Sequence, residues 1–282
     1  MMKTTMGSVR RTFAIAAIAG TSVTASACGI SRQQEVEIGA SYSQQINQQI
    51  PLVEDATVHR YINVLGESIA SQGGRQYQYT FYVVNSDVIN AFALPGGWVY
   101  INRGVIERSD NLAELAGVIA HEIGHVEERH GAEQMERAQQ ANLGINVAYI
   151  LLGRTPSTVE QAAIQVGGSA VFAGYSRGAE NEADAIAVDL LLRSGIDPNG
   201  LLTFFKELLE DSERNPSALE QWFSSHPLTE DRIAHVRAEI DRLNLTPAQT
   251  AGLTVTTQSY QEMKQRLRSY PQPPPEYRAE NQ

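Results

Sequence analysis

Two histidines and a glutamate stand within five residues in His121-Glu122-Ile123-Gly124-His125. On an α-helix, side chains four residues apart differ by about 400° of rotation and leave the same face. Two imidazoles so placed can hold one zinc ion. Glu122 lies about 100° further round, beside the metal rather than on it. From there its carboxylate can reach a zinc-bound water and take its proton, which is the chemistry of metal-assisted hydrolysis. The pattern is short, so the rest of the chain must supply a third ligand and a frame.

A zinc ion that does chemistry takes three protein ligands and keeps a fourth position for water. A second helical stretch, residues 176–195, carries Glu180, Glu182, Asp184 and Asp189. Glu180 and Asp184 are four apart and share a face, whereas Glu182 is about 200° from Glu180 and points elsewhere. One acid of the pair can ligate the metal while the other accepts the free N–H of a metal-bound histidine. The alternative is a solvated acidic face.

The elements that must position these groups can be read from apolar spacing. The first motif sits in a helical run from Asn111 to about Gln140, with Asn111 and Glu114 as a capping pair. Leu112, Leu115, Val118 and Ile119 form its inner face. Its charged second half, residues 127–137, is expected to be solvated, and His130, about 140° off the His121/His125 face, is expected at the surface. Upstream, two helices are expected over residues 31–50 and from Asp55 or Thr57 to Gly73. His59 reads as a surface residue of the second. Residues 77–85 read as a strand, and 88–101 as a hairpin turning at Pro95-Gly96-Gly97. Asn90, Ala91 and Phe92 would lie on a strand near the motif helix, as plain structure or as an edge on which an extended peptide can pair. Residues 141–175 are apolar with few charges and are expected to form two helices over the motif helix; an exposed apolar face that handles unfolded protein or touches lipid is the other reading. Asp197 or Asn199 opens a helix to Leu209, a loop follows over 211–217, and a helix runs from Thr229 to about Leu243. A short strand is expected at 253–256 before a last helix. Pro271, Pro273, Pro274 and Pro275 mark an extended, disordered tail over 271–282.

The chain has 282 residues, of which 42 % are hydrophobic, enough for a real core. Its formal net charge is −10, although the first 27 residues hold Lys3, Arg10 and Arg11 and no acid. So acidic a body is a poor nucleic-acid binder and offers no polybasic patch to anionic lipid. The single cysteine, Cys28, excludes an internal disulfide. The basic start, the apolar stretch 12–23 and the small residues 24–27 form a secretory signal peptide. Those small residues directly before Cys28 resemble a bacterial lipobox, with Ala25 where Leu is usual. Cleavage before Cys28 and lipidation of its thiol would anchor a soluble body to a membrane; ordinary signal cleavage is the alternative. Gly29 rather than Asp after the cysteine favours the outer membrane by the same resemblance.

Four motifs in order resemble one family. They are Asn90-Ala91-Phe92-Ala93-x-Pro95-Gly96-Gly97, then His121-Glu122-x-x-His125, then Glu180-x-x-Ala183-Asp184, then His226-Pro227-x-Thr229-x-x-Arg232-Ile233. Over residues 35–245 the chain is similar to the HtpX and CAAX-prenyl-endopeptidase type of zinc metallopeptidase, in its soluble periplasmic lipoprotein subgroup. The resemblance implies one zinc per chain held by His121, His125 and Glu180, with Glu122 as general base and Asp184 orienting a zinc histidine. It implies that His226 and Arg232 lie near the metal and could stabilise an oxyanion, and in some relatives the histidine can fill the open metal position and hold the enzyme latent. It gives no role to His235, expected at the surface.

The expected fold is α+β and mainly helical, a zincin-like metallopeptidase domain with a small sheet beside the motif helix. The expected organisation is a signal peptide over 1–27, a helical segment over 28–73, the metallopeptidase domain over 74–245, an extension over 246–270 and the tail. The expected function is zinc endopeptidase of the bacterial envelope, acting on unfolded or misassembled proteins, periplasmic and bound to the outer membrane through Cys28. A chaperone-like assembly factor with latent proteolysis is the alternative. A metal-binding protein without catalysis is disfavoured by Glu122, because a structural site needs no base.

Overall fold

Runs of aromatic and β-branched residues make two of the three strands, and Ala-Phe-Ala-Leu makes the third; the computed structural model places all three beside the motif helix. The structure describes residues 29–74, 77–140, 174–214 and 219–279. Strand β1 (Thr80–Val84) pairs in parallel with β3 (Trp98–Asn102), and β2 (Ala91–Leu94) pairs with β3 antiparallel, so the order is β1-β3-β2. The β2–β3 hairpin turns at Gly96 and Gly97, whose φ values of 83° and 110° only glycine adopts without strain. The hairpin register, Ala91 opposite Ile101 and Phe92 opposite Tyr100, sends alternate side chains to opposite faces.

One face packs on the helices. Helix α1 spans Arg32–Asn47, capped by Ser31, and α2 spans Ala56–Ala70, capped by Asp55. A short α3 (Arg103–Arg108) leads to α4 (Leu112–Glu127), where Asn111 Oδ1 accepts from the Glu114 N–H at 3.1 Å. Every residue of α4 from Leu112 to Val126 is buried, which is why its apolar residues show no single stripe. It is the central rod of the core, flanked by α2, β2, α6 (Arg177–Arg193) and α7 (Asn199–Arg214). The other face of the sheet buries Phe92, Leu94 and Tyr100 with Ile46 and Ile50 at the end of α1, Met135 downstream of α4, and Tyr277. Beyond α7 come α8 (Glu220–Ser225), α9 (Glu230–Arg242), α10 (Pro247–Ala251) and α11 (Gln258–Arg268). No helix among the described residues is long and apolar enough to cross a membrane.

The structure departs from the sequence-based expectations in four places. The single helical run over 111–140 breaks at Arg129, whose φ of 61° is left-handed, and resumes as α5 (His130–Gln140). A non-glycine residue there costs about 1–3 kcal/mol and needs tertiary support. Arg129 receives it from buried Glu35, whose Oε2 accepts from its Nε at 2.8 Å, and from the carbonyl of Ile30. The restart buries His130, Ala132 and Met135, so the segment 127–137 is not a solvated face. Helix α7 continues to Arg214 through the expected loop. At 253–256 there is only an isolated bridge, between Thr254 and Ile196.

The proline-rich tail is also not a disordered strand of chain. Residues 271–279 pack back on the sheet and end in a 3-10 turn at Pro275–Tyr277. The buried guanidinium of Arg103 donates to the Pro271 carbonyl at 3.0 Å, and Tyr277 Oη donates to the Gln49 carbonyl at 2.9 Å. Prolines lack an N–H but keep a carbonyl, and here those carbonyls serve as acceptors. The expected signal segment 1–27, Cys28 and the apolar stretch 141–173 lie outside the described residues.

Candidate metal centre

Helix α4 delivers His121, Glu122 and His125, all essentially without solvent exposure. Helix α6 begins at Ser176, whose Oγ accepts from the Ala179 N–H at 3.2 Å, and so presents Glu180 in its first turn and Asp184 one turn later. The two helices touch at Gly124. A Cβ there would lie 2.7 Å from the Ala183 carbonyl oxygen, so only glycine allows this spacing. His226 closes α8, and Thr229 caps α9 by accepting from the Arg232 N–H at 3.2 Å. That cap sets Arg232 at the third position of α9, facing back toward α4 and α6.

His121, His125, Glu180 and His226 converge, each offering one ligand atom, with all four atoms within 4.8 Å of one another. His121 Nε2 is 3.0 Å from His125 Nε2 and 3.3 Å from His226 Nδ1. Glu180 Oε1 is 3.4 Å from His125 Nε2 and 3.2 Å from His226 Nδ1. Ligands about 2.0–2.1 Å from a tetrahedral ion stand roughly 3.3 Å apart, which matches this set. Charge supports the same fit. Glu122, Glu180 and Asp184 are buried with one guanidinium, that of Arg232, and unpaired buried carboxylates cost several kcal/mol each (~). A divalent cation would balance them.

Around these donors, each group has a partner that fixes it. His121 Nδ1 donates to Asp184 Oδ1 at 2.8 Å. Arg232 grips Asp184 with two donors, Nε to Oδ2 at 2.6 Å and Nη2 to Oδ1 at 2.9 Å, and its Nη1 meets Glu180 Oε2. Burial would raise both carboxyls. Arg232 and His121 outweigh it at Asp184, and His226 and Arg232 outweigh it at Glu180, so both lie below the usual carboxylate range. Burial, then the charge on His121, drives the His125 imidazole well below its usual value, which favours the neutral, ligating form. Glu122 is different. Neither of its oxygens accepts a hydrogen bond, His226 Nε2 stands 3.4 Å from Oε1 as an ion-pair neighbour, and burial raises its pKa. A buried carboxylate that accepts no hydrogen bond, held above its usual range, is what a general base needs.

The remaining sequence candidates divide. Asn90 Oδ1 accepts from Ser225 Oγ at 3.4 Å, linking the edge strand to the turn that holds His226. Ala91 faces α4, but Phe92 points to the opposite side, stacked on Tyr100 with centroids 4.7 Å apart. Strand β2 is an edge by pairing, yet all its residues are buried. Arg232 faces Asp184 and Glu180 rather than standing free for an oxyanion. His59 is exposed, and His235 is half-buried with Nε2 3.2 Å from the Asn181 carbonyl. Two residues were not anticipated. His130, expected at the surface, is buried with Nδ1 2.9 Å from His125 Nδ1. Tyr175 stacks on His125 at 3.8 Å between ring centroids, and burial raises its hydroxyl pKa. Nothing in the periodicity marks Tyr175, which lies just before a helix cap.

The family model described as Peptidase family M48 matches residues 53–240. A beta-barrel assembly-enhancing protease of Yersinia pestis is 32 % identical over 256 residues, 86 % of this chain and 50 % of that protein. That of Escherichia coli (strain K12) is 34 % identical over 218 residues, 74 % of this chain and 44 % of the relative. Metalloprotease LoiP of the same strain is 32 % identical over 177 residues, 62 % of this chain and 66 % of LoiP. The chain thus spans about half the length of the first two of these relatives.

The Arg232 ion pairs can be tested for stability. Arg232→Met leaves two buried carboxylates without their cation and should destabilise the metal-free protein by about 3–5 kcal/mol. Urea unfolding measures it, and an unchanged midpoint would remove Arg232 from the frame of the site.

Proposed function

The chain belongs to peptidase family M48, and from that premise we propose a zinc-dependent endopeptidase of the bacterial envelope that cuts unfolded or misassembled proteins. The observation that carries the reading is the convergence of His121, His125 and Glu180 next to a buried Glu122 that accepts no hydrogen bond. Zinc held by these three would polarise the scissile carbonyl and activate water near neutral pH. Asp184 holds His121 through Nδ1, and Arg232 holds Asp184, so the ring presents Nε2 inward. Glu122 takes a proton from the attacking water and later gives it to the leaving amine. Asn90 and Ala91 border the place where an extended substrate would lie.

His226 gives this enzyme a resting state. Its Nδ1 stands among the ligand atoms, where a fourth donor would fill the position that water needs. The same fact favours the second reading, in which an assembly factor keeps its proteolysis latent until His226 is withdrawn. The names of the relatives, beta-barrel assembly-enhancing protease, are consistent with substrates among outer-membrane proteins. An acyl chain on Cys28 would hold the body at the periplasmic face of that membrane.

Three outcomes are expected. Purified protein should contain about one zinc per chain, and casein cleavage should vanish with a chelator and fall by roughly 10²–10⁴-fold in Glu122→Gln. Undiminished cleavage in Glu122→Gln would sink the mechanism. His226→Ala should cleave casein faster than the parent at equal zinc content, and slower cleavage would assign His226 to catalysis instead of latency. Cys28→Ser should move the protein from the membrane fraction to the soluble periplasm, with no shift pointing to ordinary signal cleavage.

A further inference from the structure

His130 is buried to 3 % exposure. Both ring nitrogens have polar partners. Nδ1 is 2.9 Å from Nδ1 of His125, and Nε2 is 3.1 Å from Oε2 of Glu182. The rings of His125 and His130 stand 5.0 Å apart at 69°, an edge-on approach that aims nitrogen at nitrogen.

The proton order along this chain follows from one requirement. His125 turns Nε2 toward His121 and Glu180, so in the ligating tautomer Nε2 carries no proton and Nδ1 does. His125 Nδ1–H therefore donates to His130 Nδ1, which must be bare. The proton of His130 then sits on Nε2 and is donated to Glu182 Oε2. Each ring has one tautomer that satisfies both neighbours, and Glu182 fixes the direction because a carboxylate can only accept. The geometry depends on the left-handed Arg129, which breaks the helix between the two histidines. On one unbroken helix a residue five positions later would lie about 140° away.

The two histidines of α4 are thus supported in different ways. His121 reaches its carboxylate directly, through the buried Asp184. His125 reaches one through His130, and that carboxylate, Glu182, is 64 % exposed. We propose that His130 is the positioning residue of His125, holding it in the metal-ligating tautomer, and that Glu182 anchors His130 from the surface. The proposal rests on the metal-centre reading above.

The test is zinc affinity, measured by competition with a chromophoric chelator on the purified protein. His130→Leu should weaken Zn²⁺ binding on the order of 10–100-fold, the usual effect of removing a group behind a ligating histidine. Glu182→Ala should weaken it less, and Glu182→Gln should restore it, because an amide oxygen also accepts from Nε2–H. Glu182 is at the surface, so this pair of variants keeps the test valid if His130→Leu does not fold. Long-range ¹H–¹⁵N spectra of the zinc-loaded parent should show His130 protonated on Nε2 only. A His130 protonated on Nδ1, or folded His130→Leu and Glu182→Ala that bind zinc as tightly as a zinc-binding parent, overturns the proposal and leaves the metal centre standing. A parent that binds no zinc overturns both.

Discussion

At Gly124, α4 runs so close to α6 that a side chain there would strike the carbonyl of Ala183. The metal centre depends on that approach. His125 follows Gly124 by one residue, and Glu180 precedes Ala183 by three, so the contact of two backbones brings an imidazole against a carboxylate. One residue beyond Ala183, Asp184 meets His121. Donors on a common ion tolerate errors of only a few tenths of an ångström (~), so a helix pair held apart by one methyl group would lose several of these distances together.

Close packing alone would leave the site overcharged, and Arg232 answers this. Its planar fork meets Asp184 with two parallel donors and reaches Glu180 with a third nitrogen. Phe205 lies 4.5 Å beneath the guanidinium and shields it from water. The arginine is thus committed to the two carboxylates, one of which holds His121. Glu122 is left outside this net and accepts no hydrogen bond, and burial holds its carboxyl above the usual range while the others lie below it.

Helical spacing made much of this legible. His121, Glu122 and His125 form a local pattern, and the phase between Glu180, Glu182 and Asp184 correctly separates inward from outward acids. The small sheet, the hairpin turn and the caps at Asn111 and Thr229 follow from equally local rules. Helical phase puts His130 at the surface only along an unbroken helix; the left-handed Arg129 interrupts it, and that conformation is supported by Glu35, 94 positions away in sequence. Phe92 shows a similar limit: a strand alternates, but alternation alone does not say which side of the sheet faces the chemistry. Prolines in the tail suggest disorder by composition, yet the Pro271 carbonyl accepts from a buried arginine. In each case the deciding partner is remote in sequence.

That same returning tail imposes an order on folding. Tyr277 joins Gln49 across 228 positions and Ser86 across 191, closing a layer shared by α1 and the sheet. Contacts so distant form late, because a long loop must be closed before they contribute. A chain delivered with its N-terminus first could build α4 and its neighbours and lay α1 on the outer face of the sheet, but the cover of that face would stay incomplete until Tyr277 arrived. A hydrolytic centre assembled in that interval would sit on an unfinished scaffold.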